Sequence, residues 1–347
     1  MSINIRNTFI VLLSICFIFE SKAQQISNKN FQPGKVWLDT SGKPINAHSG
    51  GILFHKGIYY WYGEHKIEGK SEATHPDGGI HCYTSKDLLN WKDEGIVMSV
   101  DYNNPESDIA YKCILQRPKV IFDKKTNTFI AYFKLYDKIK GYVMCNTGIA
   151  SSKKPTGPFT YLGKSLAANL PDGSGDFAMF TDQKGKLFHM VVRKPDKQFV
   201  IGDITEKPIN ISEKYLEASG ITRHTEGPAV FFYKNEYYLL GSGSSGWTPN
   251  PARLFKSDSI TGTWTNLGNP TRGINPINNL GPEKAFGGQS TFIIPVQGKK
   301  NAFIAMFDVW KPSLPIESRY IWLPIKFEND VPVIEWKDEW NLSVFDK

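Results

Sequence analysis

The sequence predicts an all-β fold, a five-bladed β-propeller, on three observations. Five stretches of the chain share one layout, in which a short apolar run, a polar turn and a second apolar run follow one another. The stretches begin roughly 50 to 70 residues apart, a spacing that suits a propeller blade of four strands. Helical periodicity is confined to short segments such as Lys86–Asn90, and no low-complexity linker divides the chain.

In chain order, each of the five stretches is expected to form a β-hairpin. They are GGILFHKGIYYWYGEHK from Gly50, RPKVIFDKKTNTFIAYFKLY from Arg117, DFAMFTDQKGKLFHMVVRK from Asp176, EGPAVFFYKNEYYLLGSGSSGW from Glu226 and GGQSTFIIPVQGKKNAFIAMFDVW from Gly287. Their central segments have the chemistry of hairpin turns. Both arms are rich in Val, Ile, Phe and Tyr, which is typical of strands buried on both faces.

Outer strands are expected after three of the hairpins, at Gly79–Met98, Asn146–Lys164 and Ala252–Pro270. Each of these segments contains a strand, a Ser/Asp turn and an aromatic strand. We therefore predict one propeller domain over residues 30–347. Its last apolar run, VPVIEWKDEW from Val331, is expected to close the ring against the first blade.

Residues 1–23 have the pattern of a signal peptide. Arg6 supplies the positive charge, Phe9–Phe19 the apolar core, and Ser21–Ala23 the cleavage site. Since no later segment reaches the roughly 20 apolar residues of a membrane span, we expect a periplasmic or extracellular protein. Lipid anchoring is not favoured, because no small residue precedes Cys16.

Composition and motifs exclude several function classes. The net charge is +7, but the lysines are scattered over predicted hairpin tips, so no nucleic-acid surface is expected. The remaining cysteines, Cys82, Cys113 and Cys145, fit no zinc motif and are expected to be buried thiols, with one disulfide among them left open. Metalloprotease, serine hydrolase and nucleotide-binding motifs are absent. No metal or other cofactor is expected. A structural calcium ion is left open, although the sequence does not indicate one.

The starts of the five hairpins are the candidate functional positions. In a propeller the first strand of each blade lines the central channel, so residues at these starts are expected to meet in one axial pocket. They are His48 with Ser49, Gln116 with Arg117, Asp176, Glu226 and Gln289. This set of acidic, amide and basic side chains, with an aromatic content of 13%, suits an oligosaccharide or polysaccharide partner.

Glu226 is the candidate proton donor. Glycoside cleavage needs a carboxylic acid that protonates the leaving oxygen, and burial between apolar strands favours the protonated form. The alternative is that Glu226 only forms an ion pair with Arg117 or Arg223. Asp176 is either a second acidic group of the pocket or a turn-capping residue.

Three further residues are candidates with ordinary alternatives. His48 is a pocket residue or a hydrogen-bonded buried histidine, and Glu64 is a pocket residue or a strand-end charge. Trp247 is a platform for a sugar ring or a buried tryptophan at the end of a strand.

The chain resembles glycoside hydrolase family 43, and most of all its branch of exo-β-1,3-galactanases. The motifs that carry the resemblance span nearly all of the mature chain. They are INAHSGGILFHKGIYYWYGEHK, YTSKDLLNWKDEG, RPKVIFDKKTNTFIAYF, RHTEGPAVFFYKNEYYLLGSGSSGW and GGQSTFIIP. The resemblance implies an inverting hydrolase of five blades.

The resemblance also implies roles for individual residues. Glu226 corresponds to the general acid, Gln289 to the residue that handles the attacking water, and Asp176 to the aspartate that helps to form the centre. Sugar contacts are expected from His48, Glu64, Gln116, Arg117 and Trp247.

Three positions depart from what the family leads one to expect. Asn46–His48 replaces the aspartate base of the wider family, as in the galactanase branch. Gln116 stands where that branch has a glutamate, and Lys134 where it has a histidine.

The sequence thus predicts an exported glycosidase that releases galactose from β-1,3-galactan. An α-L-arabinofuranosidase or β-xylosidase of the same fold is the second enzymatic hypothesis. The third is a non-catalytic glycan-binding propeller, which Gln116 favours. The fourth is a structural propeller, whose channel would be filled by apolar side chains.

Overall fold

Five β-sheets surround a central axis, which confirms the predicted five-bladed propeller. The computed structural model describes residues 27–137, 139–166, 170–211 and 214–346, and the predicted signal peptide lies outside these residues. The innermost strands of the five sheets contact one another in a closed ring. Each blade is therefore packed between two neighbours, with its first strand at the axis.

The blades follow the chain in order. Blade one contains β1 (His48–His55), β2 (Ile58–Lys66), β3 (Asp77–Ser85) and β4 (Lys92–Ser99). Blade two contains β5 (Leu115–Asp123), β6 (Thr128–Asp137), β7 (Gly141–Ser152) and β8 (Thr160–Ser165). Blade three contains β9 (Ser174–Thr181), β10 (Leu187–Arg193), β11 (Phe199–Asp203) and β12 (Tyr215–Glu217).

The last two blades complete the ring. Blade four contains β13 (Glu226–Tyr233), β14 (Glu236–Ser242), β15 (Ala252–Ser257) and β16 (Thr265–Gly268). Blade five contains β18 (Gln289–Pro295), β19 (Phe303–Val309), β20 (Arg319–Glu328), β21 (Val331–Glu335) and the short β17 (Thr271–Arg272). Short 3₁₀ helices occupy Glu72–Thr74, Pro282–Gly287, Pro315–Glu317 and Leu342–Phe345.

The run Val331–Trp340, expected to close the ring, does so only through its last residue. Its strand β21 pairs with β20 and β17, so it lies at the outer edge of blade five. Trp340 connects the two ends of the propeller by pairing with Phe31. Their backbones exchange hydrogen bonds of 2.7 and 3.1 Å, and their rings stack with centroids 4.2 Å apart. This pairing uses residues outside the main strands, which a hairpin pattern does not reveal.

Aromatic side chains fill the space between blade five and blade one. Trp61, Trp91 and Trp322 are almost completely buried and contact one another at angles far from parallel. Burying a large apolar side chain stabilises a fold by roughly 1.5–3 kcal/mol. This layer therefore holds the first and last blades together and fixes the width of the central channel.

Candidate active site

A cavity of about 930 Å³ opens at the end of the axis where the innermost strands begin. All five blades contribute to its wall. Six of the eight residues predicted from the sequence line it: Gln116, Arg117, Asp176, Glu226, Trp247 and Gln289. The prediction that distant hairpin starts meet around one hollow therefore agrees with the structure.

Irregular strand starts position these side chains. In blades one, two, four and five the register between the first two strands shifts within the first few residues of the inner strand. Such bulges re-aim a side chain that regular pleating would turn elsewhere. Ser49 and Arg117 accordingly have positive φ angles of 50° and 55°. Bulges at the strand starts thus turn polar groups towards the axis.

Gly227 shows why a glycine follows Glu226. Its φ is +59°, and a Cβ atom there would lie 2.4 Å from the carbonyl oxygen of Ser290 in blade five. A side chain at position 227 would therefore push blades four and five apart. The glycine lets the start of β13, next to Glu226, lie against β18 of blade five without that clash.

Arg117 connects three parts of the site. Its Nη2 atom lies 2.8 Å from Asp176 Oδ2 and donates to Gln289 Oε1 at 2.5 Å. Its backbone N–H donates to Glu64 Oε1 at 2.8 Å. One guanidinium thus fixes the distance between blade three and blade five at the centre of the cavity.

Asp176 is held as a carboxylate. Its oxygens contact Arg117, Lys134 Nζ at 2.7 Å and the N–H of Gly227 at 2.9 Å. Burial alone would raise the pKa of Asp176, but Arg117 and Lys134 outweigh it and hold the pKa well below its ordinary value. A turn-capping role alone does not describe this residue, because its contacts come from blades two and four.

Glu226 is the most accessible of the three carboxyl groups that line the cavity. Its side chain is 19% exposed, whereas those of Asp176 and Glu72 are 8% and 7% exposed. Glu226 Oε1 accepts a hydrogen bond from Ser244 Oγ at 2.6 Å and lies 3.5 Å from Lys197 Nζ. Among the described residues it forms no ion pair with Arg117 or Arg223, the alternative that the sequence left open.

Two amides differ in how firmly they are held. Gln289 accepts from Arg117 and donates from Nε2 to Ser242 Oγ at 3.2 Å, so its orientation is fixed. Gln116 also lines the cavity, but its side chain makes no hydrogen bond within the described part of the chain. Gln116 is therefore free to bind a polar group of a ligand.

The two remaining predicted residues lie behind the wall. His48 is completely buried, 5.2 Å from the ring of Tyr320, and burial, followed by the nearby charge of Lys66, lowers its pKa. Glu64 lies 2.9 Å from Lys66 Nζ and accepts the N–H of Arg117. Neither side chain lines the cavity, so Glu64 acts on the site through Arg117.

Part of the wall was not predicted from the sequence. The residues not predicted include Glu72, Tyr136, Tyr142, Lys194, Lys197 and Trp310, whereas Lys134 was named only as a departure from the family pattern. Several of them end the second strand of a hairpin, which returns to the face where the first strand began. The end of a second hairpin strand is therefore the feature of the sequence from which these residues could have been predicted. Trp310 packs against Trp247, which is 43% exposed, with ring centroids 5.4 Å apart, and the two offer a wide apolar surface.

Other predicted features have a simple outcome. Cys82, Cys113 and Cys145 are buried and form no disulfide with one another. Within the described ranges, no group of three His, Cys, Asp or Glu residues is placed to hold a metal ion. No helix found in those ranges is long and apolar enough to cross a membrane.

Comparisons with known proteins agree with this geometry. A GH43 β-1,3-galactosidase solved with galactodeoxynojirimycin is 36% identical with a TM-score of 0.81, and the match covers 90% of this chain and all of that one. The exo-β-1,3-galactanase of Phanerochaete chrysosporium with galactose is 28% identical with a TM-score of 0.77, over 90% of this chain and 68% of that one. The exo-β-1,3-galactanase of Clostridium thermocellum is 28% identical with a TM-score of 0.75, over 89% of this chain and 66% of that one.

The family assignment follows from a sequence model as well. No sequence among the curated proteins matches the chain significantly. The model named "Glycosyl hydrolases family 43" matches residues 51–279, which include nearly all of blades one to four and most of the cavity wall. The protein is thus a glycoside hydrolase and belongs to family 43.

Proposed function

We propose that this enzyme is an exo-acting β-1,3-galactanase, which removes galactose from the end of a β-1,3-linked galactan chain. The observation that carries the proposal is the single cavity in which Glu226, Asp176 and Gln289 meet around Arg117. The names of three similar solved structures support the choice of sugar and linkage. An open cavity also argues against a purely structural propeller, whose channel would be filled.

Glu226 is the proton donor in this proposal. It is the lining carboxyl group that a ligand reaches most readily, and its contact with Ser244 Oγ fixes one oxygen. The other oxygen is left to protonate the leaving glycosidic oxygen as the bond to the anomeric carbon breaks. Asp176 is unsuited to this step, because its two cationic neighbours keep it ionised.

Gln289 positions the attacking water. Arg117 and Ser242 hold its amide in one orientation, so the remaining lone pair of Oε1 presents a fixed hydrogen-bond acceptor to a water molecule. Fixing the water in line with the anomeric carbon lowers the entropic part of the barrier. Inversion at that carbon is part of the proposal and rests on the family resemblance, since the rule based on carboxyl separation needs two carboxyl groups.

Aromatic side chains bind the rest of the substrate. Trp247 and Trp310 line one side of the cavity, and their faces suit the apolar faces of galactose rings. The reaction uses side chains and water, so no cofactor is part of the proposal. Export, expected from residues 1–23, belongs to the proposal too, because a polymeric substrate is met outside the cytoplasm.

The test compares Glu226→Gln with wild type on two substrates. On β-1,3-galactotriose we expect kcat to fall by about 10³-fold, since general acid catalysis contributes roughly 10²–10⁴-fold. On an aryl β-galactoside with an acidic phenol, whose leaving group needs no proton, the loss should be much smaller. Free galactose is measured in both assays.

The matched control is Glu236→Gln, a glutamate of the same blade that pairs with Lys256 away from the cavity. It should leave both rates unchanged. An equal loss of kcat on the two substrates would show that Glu226 is not the general acid. If wild type released no galactose from β-1,3-galactotriose, the proposed function would be overturned.

A further inference from the structure

Lys194 is a buried cation in the cavity wall without a carboxylate partner. It directly follows β10 of blade three and is only 8% exposed. Its Nζ atom donates to the carbonyl oxygen of Tyr142 and lies 4.9 Å from the centre of the Tyr136 ring. No carboxylate of the described residues pairs with it, although burying an ammonium group without a counter-charge is costly.

The other charges of the wall are already matched. Each lining carboxylate has its own cation or cations: Asp176 has Arg117 and Lys134, Glu226 has Lys197, and Glu72 has Lys66. Lys194 is therefore the cation left over, and Lys134 and Lys197 are close enough to repel it. Burial is the main cause that lowers the pKa of Lys194, and Lys134 and Lys197 lower it further, whereas Cys145 and Asp176 raise it.

The same cavity wall contains a hydrogen-bond donor, the amide of Gln116. Gln116 lies opposite Lys134 in the ladder between β5 and β6, and both line the cavity. Its amide makes no hydrogen bond within the described residues, so Nε2 is available to an acceptor oxygen. A cation and an unpaired amide donor in one wall are what an anionic substituent of a sugar would use.

We propose that the cavity accepts a galactose residue that carries an anionic group, a carboxylate or a sulfate ester, and that this group pairs with Lys194. The inference deepens the proposed function and rests on it for the identity of the sugar. The ligand supplies the charge that the protein lacks here, so the enzyme would act on acidic galactans better than on neutral ones.

The test measures affinity and needs no turnover. Calorimetric titration of wild type with galacturonate, galactose 6-sulfate and galactose is done at pH 6.5 and constant ionic strength. We expect at least one acidic sugar to bind about tenfold more tightly than galactose, the effect of one charge-assisted hydrogen bond. The preference should shrink when the salt concentration is raised from 0.05 M to 0.5 M. Which acidic sugar binds distinguishes carboxylate from sulfate.

Equal or weaker binding of both acidic sugars would overturn the inference. Hydrolysis of β-1,3-galactotriose tests the proposed function separately, so an enzyme that cleaves this neutral substrate without preferring acidic sugars retains the function and loses the inference.

A pair of variants assigns the preference to one residue. In Lys194→Met the affinity for the preferred acidic sugar, divided by the affinity for galactose, should fall to about one. The methionine keeps the packing on Tyr136 but has no charge. The exposed Lys184 in the turn of the same blade is the matched control, and Lys184→Met should keep the wild-type ratio. Circular dichroism checks that Lys194→Met is folded. If the folded variant keeps the wild-type preference for the acidic sugar, Lys194 is not the residue that binds the anionic group. If the variant does not fold, the titration of wild type alone decides whether acidic sugars are preferred.

Discussion

Two buried charge clusters near the cavity have opposite compositions. At the centre of the cavity one carboxylate, Asp176, is surrounded by two cations, Arg117 and Lys134. Behind the wall one cation, Lys66, is surrounded by three carboxylates at 2.6 to 2.9 Å, those of Glu64, Glu72 and Asp77.

The ratio of cations to carboxylates decides whether a buried carboxyl group in each cluster stays ionised or takes up a proton. Two cations, Arg117 and Lys134, hold the pKa of Asp176 well below its ordinary value, so this carboxylate is ionised at neutral pH. In the second cluster burial raises the pKa of Asp77 to about 7, against the opposing effect of Lys66. An excess of cations thus fixes the charge of the site, and an excess of carboxylates creates a group that takes up a proton near neutral pH.

The largest expected effect comes from removing the cation of the second cluster. Lys66→Met would leave three buried carboxylates without a partner, and we expect the free energy of unfolding to fall by roughly 3–5 kcal/mol. Urea denaturation measures this, with the exposed Lys184→Met as the control. A loss below about 1 kcal/mol would mean that the carboxylates do not depend on Lys66.

Removing the carboxylate of the first cluster should have a smaller effect on stability and a large one on activity. Asp176→Asn keeps an acceptor for the N–H of Gly227 but leaves Arg117 and Lys134 unneutralised. We expect a loss of about 2–3 kcal/mol in stability and at least about 100-fold in kcat/KM for β-1,3-galactotriose.

The control for this variant is Asp203→Asn, which removes a partly exposed carboxylate of the same blade. A stable Asp176→Asn with full activity would contradict the view that this charge belongs to the site.

The smallest effect concerns pH. The pKa of Asp77 is about 7 in the folded protein and 3.8 without the fold, so the folded state keeps a proton that the unfolded chain loses. Its contribution to stability is therefore present at low pH and is lost as the pH rises from about 4 to about 7. Between pH 5 and pH 8, wild type should lose on the order of 2–3 kcal/mol more than Asp77→Asn. Parallel pH profiles from urea denaturation would show that Asp77 does not titrate in this range.

The sequence predicted the hairpins because two apolar arms around a polar turn leave few other structures. Its expectation that Val331–Trp340 closes the ring was met only by Trp340. The strand β21 of that run pairs within blade five, because apolar composition marks a strand but not its partner. The contact that closes the ring lies between Phe31 and Trp340, two residues outside the repeated pattern.

The candidate site was predictable where function coincides with the start of an inner strand. Glu226, Asp176 and Gln289 were found in this way. His48 and Glu64 could not be told apart from these lining residues in the sequence. The bulge in β1 and the ion pair of Glu64 with Lys66 place the two side chains behind the cavity wall. Lys194 and Trp310 were not predicted, because they follow the second strand of a hairpin and the prediction used only the residues at which first strands begin.

The closure at Phe31 and Trp340 makes the two ends of the propeller spatial neighbours. Asn341 donates to the side chain of Asn30 at 2.8 Å, although 311 positions separate them along the chain. A short peptide linking these ends would leave every blade intact, and new ends opened at an exposed hairpin tip such as Lys184–Gly185 would lie away from the cavity. Because the two ends of the propeller are neighbours in space, we expect the fold to tolerate circular permutation.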